Sequence, residues 1–527
     1  MGLPKGVDAG CNFYFCWSTK AAQEMGWKSA VLKPVAKAAA RRIERWAAAP
    51  VEAQRAVYRE LITKVSRTRF GQDHQLKPGL PYEAFRQRVP IRDYEGLKPY
   101  VEYIKSGEQD VLWPGRPKYF AKTSGTTSGV KYIPLTRDSL PNHFGTARNA
   151  LFNYYARSGR GQWLDGKMIF LSGSPEMEEV SGIPTGRLSG IVNHQVPAWL
   201  RTHQLPSYAT NCIDDWEQKL KAIVDETLTA DLRLISGIPP WVQMYYERLL
   251  DRSGKRSIRE LFPNFSMFVY GGVNFEPYRA ALEKLVGERI DSVETYPASE
   301  GFIAFQDEPD HQGLLLNVDS GIFFEFVPAG EIFSERPTRL SLAEVEVGVN
   351  YALLINSNAG LWGYNLGDTV EFTSLQPPRL RVTGRIKHFI SAFGEHVIGK
   401  EVEEALGEVT TGSPVKVVEF TVAPQVSPPQ GGTPYHEWLI EFEEGPADLQ
   451  AFARALDEAM VRQNIYYRDL IEGGILRPCK VTPLQRDAFR TYMKSQGKLG
   501  GQNKVPRLSN DRHIADALGG YALEVPG

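Results

Sequence analysis

Four cysteines in 527 residues, Cys11, Cys16, Cys212 and Cys479, are too few and too scattered for a disulfide framework or a four-ligand zinc site. They fit a reducing compartment, the cytoplasm being the simplest, and Cys11 with Cys16, set among aromatics, reads as packing rather than redox chemistry. No apolar run approaches the roughly 18 to 20 residues that cross a bilayer, so the expected protein does not span a membrane. The opening MGLPKGVDAGCNFYFCW lacks a basic region followed by an unbroken apolar core, which argues against a signal peptide. Gly6 stands where the myristoylation pattern requires Ser or Thr. Charge of one sign is also lacking: 61 Lys+Arg against 62 Asp+Glu leave a net charge of -1, with no global field to draw in nucleic acid or an anionic membrane. No repeat of solenoid or propeller period and no low-complexity tail occurs. Small, locally recognised ligands fit better than polymers or membranes.

What is present is a long chain of soluble-globular composition, 42% hydrophobic and 23% charged, well beyond the size that one core supports. Thr19 to about Arg67 is Ala- and Arg-rich with helical periodicity, and Pro50 is placed to open a second helix, so a helical pair is expected at residues 19–67. From Tyr119 onward, short apolar runs such as 168–171, 232–235 and 267–270 alternate with helical stretches at 215–229 and 240–250, the α/β manner. Segments 321–327, 342–347, 351–356 and 369–372 read as strands with few helices between them, which predicts antiparallel pairing. After Gly384-Arg385 the texture resets. A helix at 400–406, strands at 415–422 and 437–442, a helix at 447–463, a strand near 475–481 and a last helix at 486–496 predict a compact α+β unit, with Pro- and Gly-rich 423–434 as an exposed loop.

Three stretches carry candidate chemistry. Thr123-Ser124-Gly125-Thr126-Thr127-Ser128-Gly129-Val130-Lys131 is not a Walker A loop, because three residues rather than four separate its glycines and Lys131 comes two later. It still offers inward-pointing backbone N–H groups, hydroxyl donors and a lysine, which suit a polyphosphate; a polar strand-turn-strand would read the same way. Tyr296-Pro297-Ala298-Ser299-Glu300 closes a strand with an aromatic that can stack on a base and a carboxylate that can hold Mg²⁺; a turn with a solvated Glu is the plainer reading. Tyr364-Asn365-Leu366-Gly367-Asp368 sets a carboxylate on a Gly turn before a strand, and carboxylates bind vicinal ribose hydroxyls well, although Gly-Asp turns are common.

In order and spacing the three resemble the adenylate-forming enzymes of the GH3 type, the acyl acid amido synthetases of plant auxin and jasmonate conjugation, and in particular their bacterial members. The resemblance continues through Thr68-Arg69-Phe70-Gly71, Gly107-Glu108, Tyr270-Gly271-Gly272 and Gly501-Gln502-Asn503-Lys504-Val505-Pro506-Arg507, and so covers most of the chain. Thr123 replaces the family's first Ser conservatively, whereas Asn365 replaces an Arg in the third motif, so any charge that Arg supplies must come from elsewhere or be dispensable.

The resemblance implies a large N-terminal domain with mixed sheets, residues 1–384, and a small mobile α+β domain, residues 385–527, which rotates between two half-reactions. In the first, a carboxylate attacks the α-phosphate of ATP to give acyl-adenylate and pyrophosphate; in the second, an amine, usually of an amino acid, attacks the acyl carbon. ATP and Mg²⁺ are the implied cofactors, and a small carboxylic acid and an amine the partners. The implied catalytic residues are Lys504 of the mobile domain, Glu300, also the metal ligand, and Lys131. Nucleotide binding falls to residues Thr123 to Ser128, to Gly271, Gly272, Tyr296, Ser299 and Asp368, and to Arg385 and Lys387. The segment Gly182 to Arg187 resembles a loop near the acyl site, with Arg187 a candidate partner for a substrate carboxylate. Trp199, Trp241, Tyr245 and Tyr246 are candidate pocket aromatics, although the spacing of Trp241, Tyr245 and Leu249 is equally that of a core-facing helix. His194 and His388 are possible bases or structural histidines. Rival readings are an acyl-CoA ligase, whose usual Pro-Lys-Thr-x-x-Gly-Lys ending this chain lacks, and a nucleotide-binding protein without turnover, against which Ser124, Glu300, Asp368 and Lys504 argue.

Overall fold

The computed structural model describes residues 26–523 apart from 125–129, 196–200, 214, 272–274, 310–312, 387–388, 391–396, 427, 473, 475, 498–504 and 510. Cys11 and Cys16 lie outside the described residues. Helices Trp27–Ala48 and Pro50–Val65 form the expected N-terminal pair, with Pro50 in the first turn, where its missing N–H costs nothing.

An eleven-stranded sheet organises most of the chain. Its order is Ile322–Pro328, Asn350–Ser357, Tyr364–Leu375, Pro378–Arg385, Leu314–Leu316, Gly301–Phe305, Asp291–Ala298, Met267–Gly271, Leu232–Ser236, Lys167–Phe170 and Gln204–Leu205. Strands from Ile322–Pro328 to Asp291–Ala298 pair antiparallel, while those from Asp291–Ala298 to Gln204–Leu205 pair parallel. The strand Asp291–Ala298 is therefore the seam between the two halves. Helices Trp216–Thr227, Pro239–Ser253 and Glu276–Val286 cover the parallel half through Leu220, Ile223, Val242, Tyr245, Leu249 and Leu282, all buried. This is a mixed α/β fold, as expected.

A second sheet, ordered Val130–Leu135, Tyr119–Ser124, Ile183–Gly186 and Glu178–Val180, stands beside the first. A third, Lys416–Gln425, Tyr435–Glu444 and Lys480–Leu484, is backed by helices Gly399–Thr410 and Leu449–Gln463 around buried Trp438 and Phe420, whose rings stack at 5.7 Å.

Four expectations need correction. Residues 342–347 are not a strand: the Ser341 N–H and hydroxyl donate to Glu344 Oε2 at 2.8 and 2.7 Å and close a turn, leaving one bridge from Val347 to Phe372. The Pro- and Gly-rich loop begins only after Gln425, because the strand Lys416–Gln425 runs on through Pro424. The strand expected near 475–481 begins at Lys480, preceded by an unforeseen helix Ile465–Glu472. Helix Ala488–Ser495 is not the last, since His513–Gly519 follows and buries Ala515 and Leu518.

Candidate active site

The parallel strands end at Phe170, Leu205, Ser236, Gly271 and Ala298, and the carboxyl edge of a parallel sheet is where open α/β folds bind ligands. A cleft of about 3510 Å³ opens there, between the two larger sheets and the residues around Arg507 and Phe489. It far exceeds the roughly 300–1,000 Å³ of a single small-molecule pocket, so it has room for more than one substrate.

Two of the motifs meet on its floor. Tyr296 is near the end of the seam strand, and Ser299-Glu300 is the two-residue turn that leads into Gly301–Phe305, with Ala298 opposite Gly301. Across from it, Gly367 and Asp368 are in a bulge inside the strand Tyr364–Leu375, not in a turn before it as expected: Thr369 pairs with Ala352 and Asn365 with Leu354. Gly367 takes φ +85° there, a conformation that costs other residues energy. The Asn365 side chain accepts the Gly367 N–H at 2.9 Å and fixes the bulge, so the residue replacing the family Arg has a backbone task.

The bulge turns Asp368 toward Tyr296, whose hydroxyl donates to Asp368 Oδ2 at 2.6 Å. Reciprocally, the Tyr364 hydroxyl donates to Glu300 Oε1 at 3.1 Å. Each motif thus supplies the other's carboxylate with a phenol. Burial first, then the Glu300 charge, pushes the Tyr364 pKa far up, so this phenol stays a donor. Tyr296 and Asp368 are each 7% exposed and line the cleft with Ser299 and Glu300. Gly271 closes the floor: a Cβ there would lie 2.2 Å from the Thr295 carbonyl oxygen, so only glycine allows the two strands this approach.

The ends of the first motif lie on two paired strands. Strands Tyr119–Ser124 and Val130–Leu135 pair antiparallel with Thr123 opposite Lys131, and both of these residues line the cleft. Gly125, Thr126, Thr127 and Ser128, like Gly272, Lys387, His388, Trp199 and Lys504, lie outside the described residues. Arg385 pairs in register with Asp368 at the end of its strand. Among the described residues no group of three or more His, Cys, Asp or Glu side chains is gathered for a metal.

The description of the GH3 family N-terminal domain matches residues 39–214 and 185–290, that of the central domain residues 315–385, and that of the C-terminal domain residues 397–513. The chain belongs to the GH3 family. Among its GH3 relatives, a jasmonoyl–L-amino acid synthetase of Nicotiana attenuata, JAR4, is 22% identical over 451 residues, 72% of this chain and 77% of that one. The indole-3-acetic acid-amido synthetase GH3.3 of Arabidopsis thaliana is 22% identical over 547 residues, covering 88% of this chain and 90% of that one. Of solved structures, the GH3.15 acyl acid amido synthetase superposes with TM-score 0.77 at 15% identity over 93% of this chain and 97% of its own. A 2-hydroxyisobutyryl-CoA ligase in the postadenylation state superposes with TM-score 0.53 at 12% identity over 94% and 92%. At these identities the superpositions show the shared fold.

Other candidates in this GH3 chain separate by position. Trp241 lines the cleft, but Tyr245, Tyr246 and Leu249 are core, with the Tyr245 hydroxyl donating to Thr227 Oγ1 at 2.7 Å. These two tyrosines are thus not pocket residues: their helix turns them into the sheet. Arg187 lines the cleft. His194 Nε2 is 3.0 Å from the Pro175 carbonyl. Val505 to Arg507, following Lys504, also line the cleft; the Thr421 hydroxyl donates to the Pro506 carbonyl at 2.7 Å and the Val422 N–H to that of Arg507 at 2.9 Å, which lays the segment along the third sheet. Sequence reasoning did not foresee Tyr364 as the partner of Glu300, though a tyrosine four residues before an aspartate in a nucleotide motif was a usable signal.

Proposed function

We propose that this protein is an ATP-dependent acyl acid amido synthetase, which activates a carboxylic acid as its acyl-adenylate and passes the acyl group to an amine, most simply that of an amino acid. The observation that carries this reading is the reciprocal pairing of Tyr296 with Asp368 and of Tyr364 with Glu300 at the carboxyl edge of the parallel strands, in a GH3 chain. In the proposal Asp368 accepts the ribose hydroxyls, while Tyr296 and Ser299 frame the base above Gly271 and Gly272. The segment from Thr123 and Ser124 through Gly125, Thr126, Thr127 and Ser128 to Lys131 surrounds the phosphates, and Arg385 and Lys387 add positive charge nearby.

ATP fits this donor set, and Mg²⁺ fits the Glu300 carboxylate, the hard oxygen ligand that the ion takes alongside phosphate oxygens. When bound, the ion supplies charge neutralisation at the phosphates. The chain's own residues do the rest: Glu300 is oriented by the Tyr364 hydroxyl, Arg187 steers the acid, and residues 1–384 and 385–527 act as a large and a small domain, the latter bringing Lys504 in for the first half-reaction. Closing the cleft keeps water from the mixed anhydride. A pyrophosphate-release screen of carboxylic acids crossed with amino acids, with mass spectrometry of the products, tests the reading: acid-dependent pyrophosphate and an amide product are expected, and ADP with phosphate would reject it.

A further inference from the structure

Lys219 is a buried lysine in the helix Trp216–Thr227, 3% exposed, whose ammonium group points at main-chain oxygens. It donates to the Asn211 carbonyl at 2.6 Å and to the Ser172 carbonyl at 3.1 Å. Those carbonyls belong to two segments that both line the cleft and are far apart in the chain. Ser172 opens the loop that leaves the end of the strand Lys167–Phe170, and Asn211 ends the short helix Tyr208–Asn211, whose Tyr208 faces the cleft. A buried ammonium is costly unless its donors are used, so its placement there joins the two segments from beneath.

The same two segments are joined again at the rim. His194 Nε2 donates to the Pro175 carbonyl at 3.0 Å, which fixes the tautomer with the proton on Nε2, and its ring meets the Tyr208 ring edge-on at 5.8 Å between centroids. The held loop in turn seats Arg187, since a Cβ on Gly173 would lie 2.7 Å from Arg187 Nη1. Leu171, Met177, Leu188 and Trp241 add an apolar wall on this side of the cleft.

We propose that Lys219 and His194 are positioning residues: two braces that hold the 172–177 loop and the Tyr208 helix as the acid-binding end of the cleft, shaped for an acid whose body is apolar and whose carboxylate meets Arg187. This rests on the amido synthetase reading. The contacts that define the braces run to Ser172, Asn211, Pro175 and Tyr208, on the acid-binding side, so their loss is expected to act on the acid rather than on ATP.

The test uses the full-length protein and a carboxylic acid found active in the screen. Lys219→Met raises the KM for the acid by on the order of tenfold or more, as a small misplacement of a positioning element does, while the KM for ATP stays within about twofold. His194→Ala does the same to a lesser degree, and His194→Gln, whose Nε2 can still reach the Pro175 carbonyl, restores most of the loss. Amide hydrogen exchange of residues 172–177 rises in Lys219→Met and His194→Ala, a readout that needs no turnover. If both variants keep the wild-type KM for the acid and wild-type exchange, with only a lower melting temperature, the braces are structural and the proposal falls. Should Lys219→Met not fold, His194→Ala and His194→Gln decide alone. A wild-type protein that releases no pyrophosphate with any acid rejects the amido synthetase reading instead, and hydrogen exchange still reports whether the braces hold the loop.

Discussion

The hydroxyl of Tyr296 donates to Asp368 at 2.6 Å, joining two residues 72 positions apart, on the seam strand and in the bulge of the sheet's antiparallel half. An aspartate held in this way is oriented, and Asp368 lines the cleft. Asp368→Ala is expected to weaken ATP binding by about 1.5 to 3 kcal/mol, the worth of hydrogen bonds to a charged acceptor. Tyr296→Phe removes the orienting bond alone and costs less, about 0.5 to 1.5 kcal/mol. Titration calorimetry with a non-hydrolysable ATP analogue measures both; unchanged affinity in Asp368→Ala would make the bulge structural only.

Glu300 receives the Tyr364 hydroxyl, and its charge is the property that the account needs. Glu300→Gln keeps the shape and the hydrogen bond but loses the anionic oxygen. It should lower turnover and raise the Mg²⁺ concentration needed for half-maximal rate, as loss of a hard ligand would. A magnesium titration that superposes on the wild type would remove Glu300 from the metal site.

How much of this was legible in the sequence depends on whether the signal was local. The N-terminal helix pair, the helices expected at 215–229 and 447–463, and the antiparallel strands around Tyr351 follow from periodicity, and they are present. The three motifs were visible because glycines and hydroxyls cluster in few residues. The crossing of Tyr296 to Asp368 and of Tyr364 to Glu300 was not, because it depends on which strands become neighbours. Asn365 is the instructive position: as a substitution it looked like a lost charge, whereas its side chain holds the Gly367 N–H, a bond set by a bulge that no local pattern announces. Other shared residues prove structural. Arg69 Nη1 lies 2.7 Å from both oxygens of Glu108, and the Thr68 hydroxyl accepts the Gly71 N–H at 3.1 Å. Residues 342–347 misled because alternating Glu and apolar residues read as a strand until Glu344 bonds back to Ser341.

His143, on the helix Leu140–Ser158, is 4% exposed, and neither ring nitrogen has a hydrogen-bond partner among the described residues. Burial pushes its pKa down to about 4. Between the ordinary value near 6.5 and about 4, the unfolded chain binds a proton that the folded chain refuses, so stability falls as pH drops through that window and then levels off. The loss from this residue is on the order of 3 kcal/mol. Melting temperatures at pH 7 and pH 4.5 should therefore differ less in His143→Met than in the wild type, and an equal difference in both would assign the acid sensitivity elsewhere.

Lys504 lies outside the described residues, beside a segment that lines the cleft. If it serves only the first transition state, Lys504→Ala should slow acyl-adenylate formation by roughly a hundredfold or more, the scale of one preorganised electrostatic contact. Amide formation from supplied acyl-adenylate should change far less. Equal losses in a folded variant would end the domain-rotation reading of this segment.

The central claim is that the acid is activated on the α-phosphate of ATP, and an oxygen label follows that bond directly. When the acid's carboxylate oxygens are ¹⁸O, attack on the α-phosphorus with departure of pyrophosphate, then displacement by the amine, must leave one labelled oxygen on AMP and one in the amide. Mass spectrometry of the nucleotide and phosphate products after turnover should find singly labelled AMP beside unlabelled pyrophosphate. Label in inorganic phosphate, with ADP as the nucleotide, would mean activation at the γ-phosphate and would contradict the account.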